Sequence, residues 1–256
     1  MEISFNSQYQ ILTLLSLVLL AVIILLFKNK VATFFRLAAK FFPNSKIRIF
    51  FLRCGGVEIG SGVFIGSNNF FGRNVSIGDN VQIGSNNLIS NSKISDGCVL
   101  TQEIIMSHVN LDSGVHIHRG VKFYCERGVK VGKDSNILQY CCFEGKSEVS
   151  IGAFSEISSF CNFYTVSSMK RALTKNSRSL QEDQKLESSP IHLGNNVWFG
   201  PLVTVYPGVS VGSHCGVLSN SVVTKDINDF KLAGGVPAEI KRNITIDDSN
   251  VSLNRL

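Results

Sequence analysis

Large apolar residues return at every sixth position over much of this chain. Ile59, Ile65, Phe71, Ile77, Ile83 and Ile89 form one series, and Leu193, Phe199, Val205, Val211, Val217 and Val223 form another. A second apolar column stands two residues earlier, at Val57, Val63, Val75 and Val81, and again at Ile191, Val197, Val203, Val209 and Cys215. A repeat of six matches neither a helix nor an ordinary strand as a whole element. It matches a chain that alternates like a strand and turns a corner every six residues, with Gly, Asn, Asp or Ser where φ can turn positive. Three sides make a turn, so the coil advances one strand spacing every eighteen residues and buries a continuous aliphatic column. Roughly eight turns fit. Between 94 and 163 the phase slips and resumes, as at Leu111, Ile117 and Phe123, then Ile151, Ile157 and Phe163. The predicted fold is all-β, a parallel β-helix. A sandwich would show hairpin turns and no register held over so many repeats.

The pattern changes completely at the N-terminus. Residues 11–27, ILTLLSLVLLAVIILLF, carry no charge. As a helix they would extend about 26 Å, enough for a transmembrane anchor at the short end of the range. Glu2 in place of an N-terminal cation, and no small-residue cleavage site after Phe27, argue against a signal peptide. Residues 28–53 then carry seven Lys and Arg and no acid, which by the positive-inside rule places the chain from residue 28 onward in the cytoplasm. The stretch 31–53 mixes Phe34, Phe35, Phe41 and Phe42 with Arg36, Lys40, Lys46, Arg48 and Arg53. It suits a helix lying on anionic headgroups with its cations outward, or a cap over the open end of the coil. The expected organisation is an anchor at 1–30, a basic amphipathic segment at 31–53, the β-helix at 54–225 with an inserted loop at 166–190, and a C-terminal extension at 226–256.

Charge alters the picture only locally. The formal net charge is +6, yet from residue 54 onward basic and acidic residues are equal in number. A nucleic-acid partner would need a basic stripe on the folded body, and the sequence provides none. The seven cysteines are odd in number and include no CxxC, so they read as buried thiols of a reducing compartment. The insertion MKRALTKNSRSLQEDQKLESSP is long, polar and mixed in charge, as active-site lids often are.

The hexads, and above all IHLGNNVWFGPLVTVYPGVSVGSHCGVLSNSVVTKDI followed by GGVPAEIKR, resemble the left-handed β-helix acyltransferases over about residues 51–243. They are most similar to the maltose, galactoside and xenobiotic acetyltransferase group. The start of the coil, IFFLRCGGVEIGSGVFIG, is similar to that of membrane-associated polysaccharide O-acetyltransferases. The resemblance implies the left hand, a homotrimer with sites between neighbouring coils, acetyl-CoA as acyl donor, no metal, and a sugar or glycan acceptor. With the anchor, it implies an O-acetyltransferase acting on a surface polysaccharide or its lipid-linked precursor at the inner membrane.

Acyl transfer from a thioester to a hydroxyl needs a base, oxyanion donors and alignment of both substrates. In the family the base is a His at the loop root, and here Ser168 stands in its place. Among the remaining histidines, His192 is the first candidate because it lies outward on the strand where the chain re-enters the coil. His118 is the second. On the donor side the resemblance implies that Trp198, Gly200, Ser219, Thr224, Lys225, Pro237, Lys241 and Arg242 line the CoA site. Ser168 also supports an alternative, an impaired trimeric coil serving as a scaffold or donor-binding protein. A metal-dependent hydrolase on the same coil would need three converging His, and His116 and His118 are too close on one strand to supply two of them.

Overall fold

The computed structural model describes residues 30–169 and 186–245, together with Ser16. The hexads wind into a three-sided parallel coil. Side one stacks eight strands from Glu58–Ile59 to Ser210–Val211, and side three stacks eight from Phe70–Phe71 to Val222–Val223. Side two runs from Phe64–Ile65 to Gly216–Val217, then adds Lys231–Gly234 in parallel and Glu239–Asn243 antiparallel. Each strand is short because the corners use the rest of the hexad. Successive turns hold register, Ile65 opposite Ile83 and Ile157 opposite Phe199, so like residues stack on like. Backbone donors reach the next turn, as from Gly66 N to the Ile83 carbonyl at 2.7 Å.

The hollow is apolar. Ile77, Leu193 and Val217 are all buried, and Phe123, Phe143 and Phe163 stack with ring centroids 4.9 and 4.6 Å apart. Several small polar residues and thiols of the second column are satisfied by a carbonyl of the following turn. Asn69 donates to the Gly66 and Gly84 carbonyls, Ser135 to Gly152, and the thiols of Cys98 and Cys141 to Asp112 and Ser158. All seven cysteines are free, five of them buried.

The phase slips seen in the sequence all fall at one corner. From side one to two and from side two to three, inward residues always follow at six, as in Ile94, Leu100 and Met106 or Ile151, Ile157 and Phe163. From side three to side one the step is five at Ile89 to Ile94 and at Met106 to Leu111. It is eight at Phe123 to Val131 and at Phe143 to Ile151, and thirty at Phe163 to Leu193. Positive-φ corner residues include the expected Gly and Asn, and Asn68 donates to Asn86 at 2.8 Å. The later turns differ from expectation, placing Tyr140, Phe154, Phe160, Leu202 and Phe230 there instead. Three of these bulky corner residues gain a stacking partner, Tyr140 and Phe160 on each other and Phe230 on His214, which offsets the cost of the left-handed backbone.

A helical cap covers the first turn. Residues 30–38 are helical, and Ser45–Cys54 forms a second helix whose start is capped by the Asn44 side chain accepting from Lys46 N at 2.8 Å. The coil expected from 54 therefore begins at Glu58. Two cations expected to face outward are instead buried. Arg48 donates through Nε and Nη2 to the Ile65 carbonyl and through Nη1 to the Phe42 carbonyl, while Arg36 donates to the Gly55 carbonyl at 2.7 Å. The Ile65 carbonyl that Arg48 occupies is one that an earlier turn of the coil would have paired, while Arg36 ties the end of the second helix back to the first. At the other end the coil outlasts the expected boundary at 225, with Ile227 bridging Val211 before Lys231–Gly234 joins side two. Among the described residues no helix is long and apolar enough to cross a membrane; apart from Ser16, the run 11–27 lies outside them.

Candidate active site

The variable corner leads directly to the most distinctive side-chain arrangement. There Val166–Ser167 pairs antiparallel with Glu187–Ser188 and closes the root of the insertion, most of which (170–185) lies outside the described residues. The Ser188 hydroxyl donates to the Thr165 carbonyl at 2.8 Å and stands 2.8 Å from the Ser147 hydroxyl. Ser168 is exposed just beyond this ribbon. The chain then re-enters the coil through Ile191–Leu193, whose outer residues are buried, so alternation aims the His192 imidazole outward.

On side one His192 lies in register between Ser150 and Ser210. Its Nδ1 is 2.7 Å from the Ser150 hydroxyl. With Nδ1–H donating to that oxygen, Nε2 keeps its lone pair and can take a proton. The ring opens on a cavity of about 720 Å3 lined also by Ser210, Asp226, Asn228, Asp229 and Lys231. The Asp226 and Asp229 carboxylates accept from Ser210 N and Ser213 N, at 2.8 and 2.7 Å, and so fix the cavity wall. Sequence reasoning selected His192 but missed Ser150. Aligning EVSIG with PIHLG puts the two opposite each other, but only once the insertion between them is treated as one corner.

His118 is elsewhere. It is half-buried at the corner after His116–Ile117, in the fourth turn, against the seventh for His192. Three strand spacings, about 14 Å along the axis, separate the two. His108 and His214 sit at positive-φ corners, and His116 is exposed between Val99 and Asn136. Among the described residues no group of three or more His, Cys, Asp or Glu is placed to hold a metal ion.

The donor-side residues gather on side two and its edges. Trp198 is 42% exposed, and the column continues through Gly216 and Leu232 to Arg242. Gly200 begins the next corner, where a Cβ would meet the Ser219 hydroxyl at 2.6 Å, so the two turns stack there only with glycine. Thr224 and Lys225 are exposed at the last variable corner, while Pro237 and Lys241 lie on the terminal hairpin. Within one chain, His192 and Trp198 therefore occupy different sides of the prism.

A family model described as bacterial transferase hexapeptide (six repeats) matches residues 56–91 and 190–225. Those two stretches are hexapeptide repeats. The chain's relatives are acetyltransferases. It is 35% identical over 126 residues to a Staphylococcus aureus (strain Mu50) protein assigned to the acetyltransferases, covering 49% of this chain and 60% of that one. It is 39% identical over 71 residues to galactoside O-acetyltransferase of Escherichia coli (strain K12), covering 28% of this chain and 35% of the enzyme. The chain thus spans less than two thirds of the length of either relative. Among solved structures, a Vibrio cholerae hexapeptide-repeat acetyltransferase complexed with acetyl coenzyme A matches at 28% identity and a TM-score of 0.41, over 51% of this chain and 70% of the other. The two segments matched as hexapeptide repeats are the parts where eighteen-residue turns run undisturbed. The unmatched middle is where the three-to-one corner shortens, widens and opens into the insertion.

Proposed function

We propose that this chain is an acetyl-CoA-dependent O-acetyltransferase that modifies a sugar of a surface polysaccharide or of its lipid-linked precursor. The observation that carries this reading is His192, aimed outward beside the insertion root, partnered at Nδ1 and facing an open cavity. In the reaction, Nε2 of His192 takes the proton of the acceptor hydroxyl as its oxygen attacks the thioester carbonyl. The tetrahedral intermediate collapses with loss of CoA as thiolate, leaving an acetyl ester on the sugar. Trp198, Gly200, Ser219, Thr224 and Lys225 would line the pantetheine and phosphate path. Pro237, Lys241 and Arg242 would close the adenosine end, with the cations meeting phosphate charge.

The separation of His192 and Trp198 onto two sides supports a homotrimer, in which side one of one coil faces side two of its neighbour. Residues 11–27 would tether the assembly in the inner membrane with the coil in the cytoplasm, beside lipid-linked glycans. Calorimetric titration with acetyl-CoA, followed by assay of thioester loss with sugar acceptors, tests the whole reading. Binding with turnover, and a fall of roughly 10²- to 10⁴-fold in kcat/KM for His192→Ala with His118→Ala unchanged, is the expected result. Donor binding without turnover for any sugar would favour the scaffold reading instead, the one that Ser168 at the loop root supports.

A further inference from the structure

The cap presents an unusual division of its aromatic residues. Three phenylalanine pairs occur in residues 30–54, and in each pair the first faces out and the second faces in. Phe35, Phe42 and Phe51 pack together, with Phe42 stacked on Phe51 at 4.5 Å, and Phe51 lies against the core of the coil. Phe34, Phe41 and Phe50 are 66%, 85% and 61% exposed, joined by exposed Val31, Leu37 and Ile47. An apolar surface this large on a small helical cap is costly in water and marks a contact.

The cations divide in the same way. Arg36 and Arg48 are buried and bonded to carbonyls, which makes them part of the cap's construction. Lys30 and Lys46 remain exposed and Lys40 is half-buried, each within four residues of an outward phenylalanine in the chain. No Asp or Glu occurs between Ile3 and Val57, so the cap's outer surface has charge of one sign. Aromatic rings flanked by lysines, with no acid, match the interface of an anionic bilayer, where the rings reach the acyl boundary and the ammonium groups meet phosphates. A protein partner would be expected to meet some charge of both signs. The apolar run 11–27 also ends just before the cap begins, which would bring the cap to the membrane surface.

We propose that the outer face of this cap, built on Phe34, Phe41, Phe50, Lys40 and Lys46, is a membrane-docking surface for anionic lipid, separate from any insertion of residues 11–27. It rests on the membrane setting of the proposed function and is independent of the transfer chemistry. The full chain carrying Phe41→Trp is reconstituted in phosphatidylcholine vesicles with and without phosphatidylglycerol, each containing brominated lipid. Trp198 in the parent chain supplies the background. The expected result is a blue-shifted, lipid-quenched emission component that is stronger with phosphatidylglycerol. The ratio of lipid-contacting to water-exposed emission should fall about fivefold for each of Lys40→Gln and Lys46→Gln. Emission that stays water-like in both lipids overturns the proposal. So does quenching unchanged by both lysine variants, or protection that persists without lipid because a second copy or another protein covers the ring. Acetyl transfer to a soluble sugar in detergent should be the same for parent and lysine variants. Absence of transfer in the parent would count against the transferase reading alone.

Discussion

Two corners of the prism and the third behave differently. Where side one meets side two and side two meets side three, the step between inward residues is six in every turn. Where side three meets side one it is four, five, six, eight or thirty. All three sides keep their register from turn to turn, and an uncompensated slip at either invariant corner would carry every later side chain to the wrong face. The third corner is free of that demand because each variation is absorbed before the chain re-enters side one in register. It is also where the insertion leaves, where Ser168 stands, and after which His192 comes. A rigid frame with one adaptable edge is how binding sites are commonly built on repeat folds.

The largest effect should come from breaking this asymmetry directly. One alanine inserted after Asn80, at the corner from side one to side two, would displace Val81 and Ile83 or force a bulge against the turns above and below. The expected cost is more than about 4 kcal/mol, read as a lost or strongly shifted urea transition. The same insertion between Asn91 and Ser92 lengthens a five-residue step to the six used elsewhere, and should cost within about 1 kcal/mol. Equal costs at the two corners would refute the frame-and-edge description.

That contrast also explains how much was legible in the sequence. The hexads announced the coil, its inward columns and its turn count because alternation and corner chemistry repeat locally. They could not reveal that the slips at Ile94, Leu111, Val131 and Ile151 all belong to one edge, since that needs the strands stacked. Ser150 was hidden for the same reason, being 42 residues from its partner His192 in register. Arg36 and Arg48 misled because sequence shows their charge and not the orphan carbonyls they meet. Phe154 and Phe160 at positive-φ corners run against intrinsic preference, and for Phe160 a ring in the neighbouring turn compensates.

A second, smaller contrast lies between two aromatic ladders on adjacent turns. Phe143 and Phe163 stack inside the coil, fully buried, whereas Tyr140 and Phe160 stack outside at a corner with roughly half of each ring exposed. Phe163→Ala should cost about 3–5 kcal/mol, because the neighbouring rings at 4.6 and 5.9 Å belong to fixed strands and cannot close the void. Phe160→Ala removes an exposed stack worth only about 0.5–1.5 kcal/mol. Phe160→Gly should cost still less, because glycine also relieves the positive φ of 63°. Urea midpoints of the three variants check the order, and a Phe160→Gly less stable than Phe160→Ala would show the corner is unstrained.

The smallest effect tests whether the frame and the edge are equally dry. Burial pushes the Cys98 thiol, at the invariant first corner, up to about 11, and the Cys125 thiol, on the widened third side, up to about 12, against an ordinary 9.0. A raised thiol pKa in the folded state means that the unfolded chain loses its proton first as pH rises. Stability is therefore full below about pH 9 and falls from there toward the two folded values. Each thiol should lower the melting temperature by about 2–4 °C between pH 8 and 10, and Cys98→Val and Cys125→Val should each remove its share of that drop. Exposed Cys54 should react with a thiol reagent at neutral pH while both remain protected. If Cys125 reacts as fast as Cys54, water enters the coil along the variable edge, and only the two invariant corners would then enclose a sealed core.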